Sequence, residues 1–128
     1  MKPYDLLVIA CCTVVLVSIA TCRNARASDF DTTDKILFGS FVGLQLVDAA
    51  QTSYVSKHPE QFKESNPLYG SHPSDAKIIA IKSLLVGGVY YLVKDMPSPD
   101  RKFVLGAVDL FYITVTAHNA SIGVKIGF

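Results

Sequence analysis

The sequence is poor in charged residues and contains no tryptophan. Only 18% of its 128 residues are charged and 50% are hydrophobic, whereas about a quarter of a soluble domain is usually charged. The mean hydropathy is +0.34. A domain of this size cannot easily bury so much apolar surface in water, so the composition favours a membrane protein. Without tryptophan, an aromatic belt at the bilayer interface has to come from tyrosine.

Neither sign of charge dominates the chain. There are 12 lysines and arginines against 11 aspartates and glutamates, which gives a net charge of +1. The basic residues are spread along the sequence and do not cluster on one face. The chain therefore lacks the electrostatic footprint of a nucleic-acid-binding protein, and we expect no nucleic-acid partner.

Cysteine is confined to the N-terminal region, at Cys11, Cys12 and Cys22. There is no C-x-x-C and no histidine at metal-ligand spacing, which argues against a zinc site or a disulfide framework. The sequence also lacks G-x-S-x-G, H-E-x-x-H and a glycine-rich phosphate loop. We therefore expect no metal and no cofactor, and the sequence leaves enzymatic activity undecided.

Residues 1–27 have the composition of a secretory signal peptide. Lys2 supplies the positive charge, residues 6–20 form an apolar run, and Ala25-Arg26-Ala27 is a suitable cleavage site. The alternatives are an uncleaved signal anchor, which would be short for a transmembrane helix, and a lipoprotein processed at Cys22.

Three apolar segments follow and predict an all-α fold, a small transmembrane helical bundle. The predicted helices cover about residues 34–56, 75–94 and 99–122 of a helical membrane domain, residues 28–128. Each is close to the roughly 20 residues with which a helix crosses a bilayer. β-branched residues are frequent, but the segment lengths favour helices over strands. The loop of residues 57–74 joins the first helix to the second, and a tight turn joins the second to the third.

Polar side chains interrupt the apolar segments, and each is costly inside a bilayer. Those that share a helix face are Gln45, Asp48 and Thr52 in the first helix, with Gln51 beside them, and Asp109, Tyr112, Thr116 and Asn119 in the third. By helix periodicity, His118 lies on a different face of the third helix, with Thr114.

Helix depth predicts a layer of charged groups in the middle of the bundle. If the three helices alternate in direction, Asp48 and Lys82 both lie roughly 18 Å from the face opposite the loop. An Asp48–Lys82 ion pair that fixes helix registry is then favoured over a proton or ligand path. Asp109 is level with Tyr90, and we expect a structural hydrogen bond from Asp109 to Tyr90 or Tyr112.

The other polar residues gather at the loop end of the predicted bundle. They are Gln51, Thr52, Glu64, Asn66, His118 and Asn119. Helix capping and a functional site explain this end layer about equally well. As a site, its candidate catalytic residues are Glu64 and His118 with Asp48. The candidate binding residues are Gln51, Thr52, Asn66, Asn119, Asp109 and Lys82.

The order of these residues resembles a family of small uncharacterised bacterial membrane proteins. The matching pattern is Asp48-x-x-Gln51-Thr52, His58-Pro59-Glu60, Glu64-x-Asn66-Pro67-Leu68-x-Gly70-x-x-Pro73-Ser74 and His118-Asn119. The resemblance implies a helical membrane protein and no particular activity. We expect a bacterial-type inner (cytoplasmic) membrane location, with a periplasmic or secreted protein as the alternative.

Three functions fit the sequence. The first is a membrane protein that acts through contacts with a membrane-protein partner or with a second copy. Ser83 and Gly87 would form that contact face, because small residues allow close helix approach. The second is a membrane-embedded enzyme or transport-like site built from the loop 58–75 and the polar helix ends. The third is a secreted helical domain whose polar stripes face water.

Overall fold

A computed structural model describes residues 29–62, 69–70 and 72–127, and these residues form three α-helices and no strand. The helices are α1 (Thr32–Lys57), α2 (Asp75–Val93) and α3 (Ser98–Ser121). The all-helical prediction is confirmed for this part of the chain. The predicted leader lies outside the described residues, as do Glu64 and Asn66 of the loop.

Helix α1 is the centre of the bundle, and α3 packs along it in the same direction. Asp34 and Arg101 join the first turns of the two helices, and Gln51 and Asn119 join them near their last turns. A nearly constant sequence offset between facing residues, 67 for the first pair and 68 for the second, is the mark of a parallel pair.

Helix α2 runs antiparallel to α1 on its other side. Lys82 contacts Asp48, and one end of α2 is joined to α1 through Tyr90, whose ring centroid lies 5.7 Å from that of Phe38. Helices α2 and α3 have little direct contact with each other. The long outer faces of α2 and α3 are therefore left uncovered by the rest of the described chain.

The residue that caps the start of helix α1 is Asp31. The Asp31 carboxylate accepts a hydrogen bond from the Asp34 backbone N–H at 2.9 Å, and the Asp34 carboxylate accepts one from the Asp31 N–H at 3.1 Å. This reciprocal capping box satisfies two donors with two carboxylates. Asp31 takes the cap position because Asp34, three positions later, can complete the capping box with its own carboxylate.

The starts of the other two helices differ in how they are capped. Ser74 caps α2, accepting a hydrogen bond from the Lys77 N–H at 3.3 Å. At α3, Pro97 occupies the cap position, and no side-chain hydrogen bond caps the helix. The Ser98 hydroxyl instead contacts the Asp31 carboxylate at 3.3 Å, so it ties the starts of α1 and α3 together.

The α1 cap makes an acid-sensitive contribution to folding. Hydrogen bonds from the Lys102 ammonium group and the Asp34 N–H lower the pKa of Asp31 from its ordinary value of 3.8 to about 2. A pKa lowered on folding means that Asp31 stabilises the fold above about pH 4, and this contribution is lost as the pH falls toward 2.

We expect Asp31→Asn to flatten the acid side of the curve of stability against pH. Asparagine keeps an oxygen that caps the helix but cannot titrate, so the protonation step disappears while the cap remains. Thermal unfolding followed by circular dichroism, on the acidic side of neutrality, measures the effect. Parallel curves for the variant and the wild-type protein would contradict it.

The bundle buries many polar and charged side chains beside an apolar core that includes Phe41, Ile78 and Leu105. The buried polar residues are Asp34, Gln45, Asp48, Gln51, Thr52, Ser53, Lys82, Arg101, Asp109 and Thr116. Large apolar side chains lie outside, with Leu84 76% exposed, Tyr91 71% and Leu110 66%. Asp, Lys and Arg are almost never fully buried in soluble proteins unless they are paired.

Two of the described helices, α2 and α3, are long and apolar enough to cross a membrane, by length and composition. In each of them only 17% of the apolar 18-residue stretch is buried within the bundle, whereas the core helix of a soluble protein is mostly buried. The finding points to membrane association.

Candidate functional site

Polar side chains, most of them buried, form three layers along α1. We call them the turn-end layer, Asp34 and Arg101; the middle layer, Ser40, Gln45, Asp48, Lys82, Asp109 and Tyr112; and the loop-end layer, Gln51, Thr116 and Asn119. Each layer joins α1 to one or both of the other helices.

The turn-end layer is built around Arg101, whose side chain and that of Asp34 are both 0% exposed. One guanidinium nitrogen donates to Asp34 Oδ2 at 2.8 Å, Nε donates to the Val93 carbonyl at 3.1 Å, and another nitrogen donates to the Met96 carbonyl at 2.7 Å. The guanidinium carbon lies 4.3 Å from the centroid of the Phe30 ring. One side chain therefore holds the start of α1, the end of α2 and the turn before α3.

This anchor was not predicted from the sequence, because Arg101 stands just after a proline-rich turn, where a basic residue is usually solvated. One signal was available: Arg101 is the only arginine after the leader. A helix also ends with carbonyl groups that need donors, and the planar guanidinium group can serve several acceptors at once.

The middle layer contains the second buried ion pair. The Lys82 ammonium group donates to the Asp48 carboxylate, and the two side chains are 9% and 10% exposed. The ring centroids of Tyr112 and Tyr69 lie 5.1 Å and 6.0 Å from Lys82 Nζ, which adds cation–π attraction in a desolvated setting. The pair that helix depth allowed is present, and Tyr112 brings α3 to it.

Gln45 lies in the same layer and is only 2% exposed. Its side chain is next to the Tyr112 hydroxyl. Their geometry nevertheless leaves both amide atoms of Gln45 without a hydrogen bond within the described chain. A buried, unpaired amide is unfavourable, so this position is a cost to the stability of the layer.

Asp109 does not bond to either tyrosine that the sequence suggested. Its Oδ2 contacts the Ser40 hydroxyl of α1, and its Oδ1 has no partner among the described residues. The parallel packing of α1 and α3 places Ser40 opposite Asp109. The Tyr90 ring packs at a tilt against Phe30 and Phe38, with centroids 6.0 Å and 5.7 Å apart.

The loop-end layer is a side-chain bridge between α1 and α3. The Gln51 amide nitrogen donates to the Thr116 carbonyl at 3.1 Å, and its amide oxygen accepts from Asn119 Nδ2 at 3.1 Å. Gln51 is 2% exposed. Both ends of its amide group are used within the bundle, which is the behaviour of a structural crosslink. Thr52, beside it, is also buried.

The structure describes two of the three candidate catalytic residues, Asp48 and His118, and each has its own surroundings. Asp48 is paired with Lys82 in the middle layer, the His118 side chain is exposed on another face, and Glu64 lies outside the described residues. The candidates that do meet are Asp48 with Lys82 and Gln51 with Asn119.

We expect Gln51→Leu to destabilise the fold by about 1–3 kcal/mol, because it leaves the Asn119 amide and the Thr116 carbonyl without their buried partner. Chemical denaturation in detergent, followed by circular dichroism, measures the loss. The matched control is His118→Ala, which changes an exposed side chain and should leave stability unchanged. Equal stability of the two variants would show that the Gln51 bridge contributes nothing.

The polar side chains of the three layers bind the helices to one another. Within residues 29–62, 69–70 and 72–127, no group of three His, Cys, Asp or Glu side chains is placed to hold a metal ion. The two ion pairs and the Gln51 bridge each use their polar atoms on a neighbouring helix. No family model, curated protein or solved structure matches this chain.

Proposed function

We propose that this is a small integral membrane protein in which α1, α2 and α3 all span the bilayer, and that it acts through lateral contacts with other helices. The observation that carries the proposal is the burial of two ion pairs inside the bundle together with the exposure of many large apolar side chains on its outside. In hydrocarbon, outward-facing leucine and isoleucine are at no disadvantage, while each polar group needs an internal partner.

Helix α1 fits this arrangement despite its polar residues. Asp48 and Gln51 face α2 and α3 and are paired there. Its outer side carries Ile36 and Leu46, which are 65% and 64% exposed. A polar face turned inward and an apolar face turned outward let such a helix cross a bilayer.

Aromatic and basic side chains support a membrane boundary at the turn end of α2. Tyr91 is strongly exposed, and Lys94 Nζ lies 5.0 Å from the centroid of its ring. Tyrosine is enriched at the headgroup level, and lysine reaches toward it with its charged end. In the absence of tryptophan, these two residues are suited to anchor α2 at the interface.

The contact surface we propose is the outer face of α2 around Ser83 and Gly87, with a second copy of the chain as the partner. Both residues are exposed, and a Cβ atom built on Gly87 would meet nothing within 4 Å. Small residues let two helix backbones approach closely in lipid. A two-fold dimer needs only one such face, because the same surface meets itself.

The proposal extends to the location and to the leader. The leader of residues 1–27 is removed or retained as an anchor, and the protein resides in a bacterial-type inner membrane. The support is the signal-like composition and the resemblance to small bacterial membrane proteins.

Alkaline carbonate extraction, together with the mass of the mature chain, tests the membrane assignment. The protein should stay in the pellet after extraction, and its mass should show whether residues 1–27 have been removed. Release into the supernatant would refute the membrane proposal and favour a secreted helical domain.

Helix contacts are tested by chemical crosslinking in native membranes. Gly87→Leu should abolish the dimer, because its side chain would hold the two backbones apart. The matched control is Gly43→Leu on α1, which also has nothing within 4 Å of an added Cβ and should leave the dimer intact. Loss of function in Glu64→Ala or His118→Ala, with an intact dimer, would instead favour the membrane-embedded site.

A further inference from the structure

Asp109 differs from the other two buried carboxyl groups of the described helices. Asp34 is paired with Arg101 and Asp48 is paired with Lys82. Asp109 is only 7% exposed, yet the one side-chain hydrogen bond of its carboxyl group within the described chain is with the neutral hydroxyl of Ser40.

The Ser40 hydroxyl group makes two contacts with oxygen atoms but has only one hydrogen atom to donate. The Ser40 oxygen lies 2.9 Å from the Leu37 carbonyl oxygen and also contacts Asp109 Oδ2. A serine hydroxyl has one hydrogen to donate and two lone pairs with which to accept. If that hydrogen is donated to the Leu37 carbonyl, the hydrogen in the second contact has to come from Asp109.

The surroundings of the second carboxyl oxygen of Asp109 also indicate that the group is protonated. Oδ1 is buried and has no hydrogen-bond partner among the described residues. An ionised carboxylate would leave a full negative charge here with one neutral donor at most, and isolated buried carboxylates take up a proton instead. A carboxylic acid needs only an acceptor for its own hydrogen, and Ser40 is that acceptor.

The charged and titratable groups on the surrounding helices already contact other residues. They are Arg101 with Asp34, Lys82 with Asp48, Tyr112 beside Gln45, and Tyr90 against Phe30 and Phe38. In the described chain, no cation is therefore positioned to replace the proton on Asp109.

We propose that Asp109 is a proton-binding site: a carboxylic acid that donates to Ser40, which in turn donates to the Leu37 carbonyl. The ligand is a proton. Ser40 is exposed on α1, so the Asp109–Ser40 pair lies near the outer surface of the bundle. This inference goes beyond the proposed function and does not depend on a partner helix.

Infrared spectroscopy of the full chain in detergent at neutral pH tests the proposal. The spectrum should contain the carbonyl band of a protonated carboxyl group, and the band should shift in D₂O. Asp109→Asn should remove it. Asp48→Asn, the matched control at a buried carboxylate that is already paired, should leave it in place.

Ser40→Ala provides a readout that does not depend on the folding of an Asp109 variant. It removes the acceptor of the Asp109 hydrogen, so the band should remain and move to higher frequency. The proposal is wrong if the wild-type protein lacks the band or if the band survives Asp109→Asn. It is also wrong if NaCl removes the band at constant pH when choline chloride does not, because that result would identify a sodium site.

Discussion

Replacing Arg101 with methionine should cost the folded protein about 3–5 kcal/mol, the range found when one partner of a buried ion pair is removed. The change leaves Asp34 charged and buried, and it takes the donors from the carbonyl groups of Val93 and Met96. Because Arg101 holds parts of all three helices, the whole bundle should loosen rather than one helix end.

Denaturation of the protein in detergent, followed by circular dichroism, measures this loss. Lys102→Met is the matched control, since Lys102 is the next residue and pairs with Asp31 at the surface; its effect should be small. The double change Asp34→Leu with Arg101→Met should recover much of the stability, because no uncompensated charge remains. If Arg101→Met is no worse than Lys102→Met, the anchor has no energetic role.

The second large effect is expected at Lys82. Lys82→Met should destabilise the bundle by about 3–5 kcal/mol, because Asp48 would be left charged and unpaired in the core. The ring contacts of Tyr112 and Tyr69 with the ammonium group would be lost as well. Lys35→Met, at an exposed lysine of α1, is the control with the same chemical change and should have no measurable effect.

The double change Asp48→Leu with Lys82→Met tests whether the ion pair only fixes helix registry or whether its charged groups are themselves needed for function. If the pair only fixes helix registry, the double variant should regain stability and keep its dimer and cellular phenotype. If the double variant folds and dimerises but the phenotype is lost, the charged groups themselves are required. That result would favour the transport-like site over a purely structural pair.

The helices could be predicted from the sequence because their signals are local. Apolar runs of suitable length, separated by Pro- and Ser-rich turns, indicate three helices whatever the packing. The Asp48–Lys82 pair could also be anticipated, since only a rise per residue and alternating directions are needed to put both groups at one depth.

Contacts that depend on how two helices face each other could not be predicted in this way. The stripe on α3 shows that Asp109 faces inward, but its partner depends on the rotation and offset of α1. The structure places Ser40 there, and neither tyrosine. Likewise, Arg101 could be recognised as an anchor only once the end of α2 and the start of α1 were known to meet beside it.

The loop-end layer contains one feature that could be predicted from the sequence and one that could not. Helix periodicity predicted that His118 and Asn119 lie on different faces of α3. In the structure His118 is exposed, while Asn119 is hydrogen-bonded to Gln51. The use of both ends of the Gln51 amide, with the Thr116 carbonyl as its acceptor, involves a backbone atom and so leaves no trace in the sequence.

Single-cysteine labelling in reconstituted vesicles tests most directly whether the outer surface of the bundle faces lipid. With Cys11, Cys12 and Cys22 replaced by serine, Leu84→Cys places a thiol at the most exposed apolar position of α2, and His72→Cys places one on the exposed loop. A charged maleimide should label the loop thiol rapidly and leave the Leu84→Cys thiol unmodified until detergent is added. Equal labelling of both thiols in intact vesicles would contradict a membrane-spanning α2 and, with it, the proposed function.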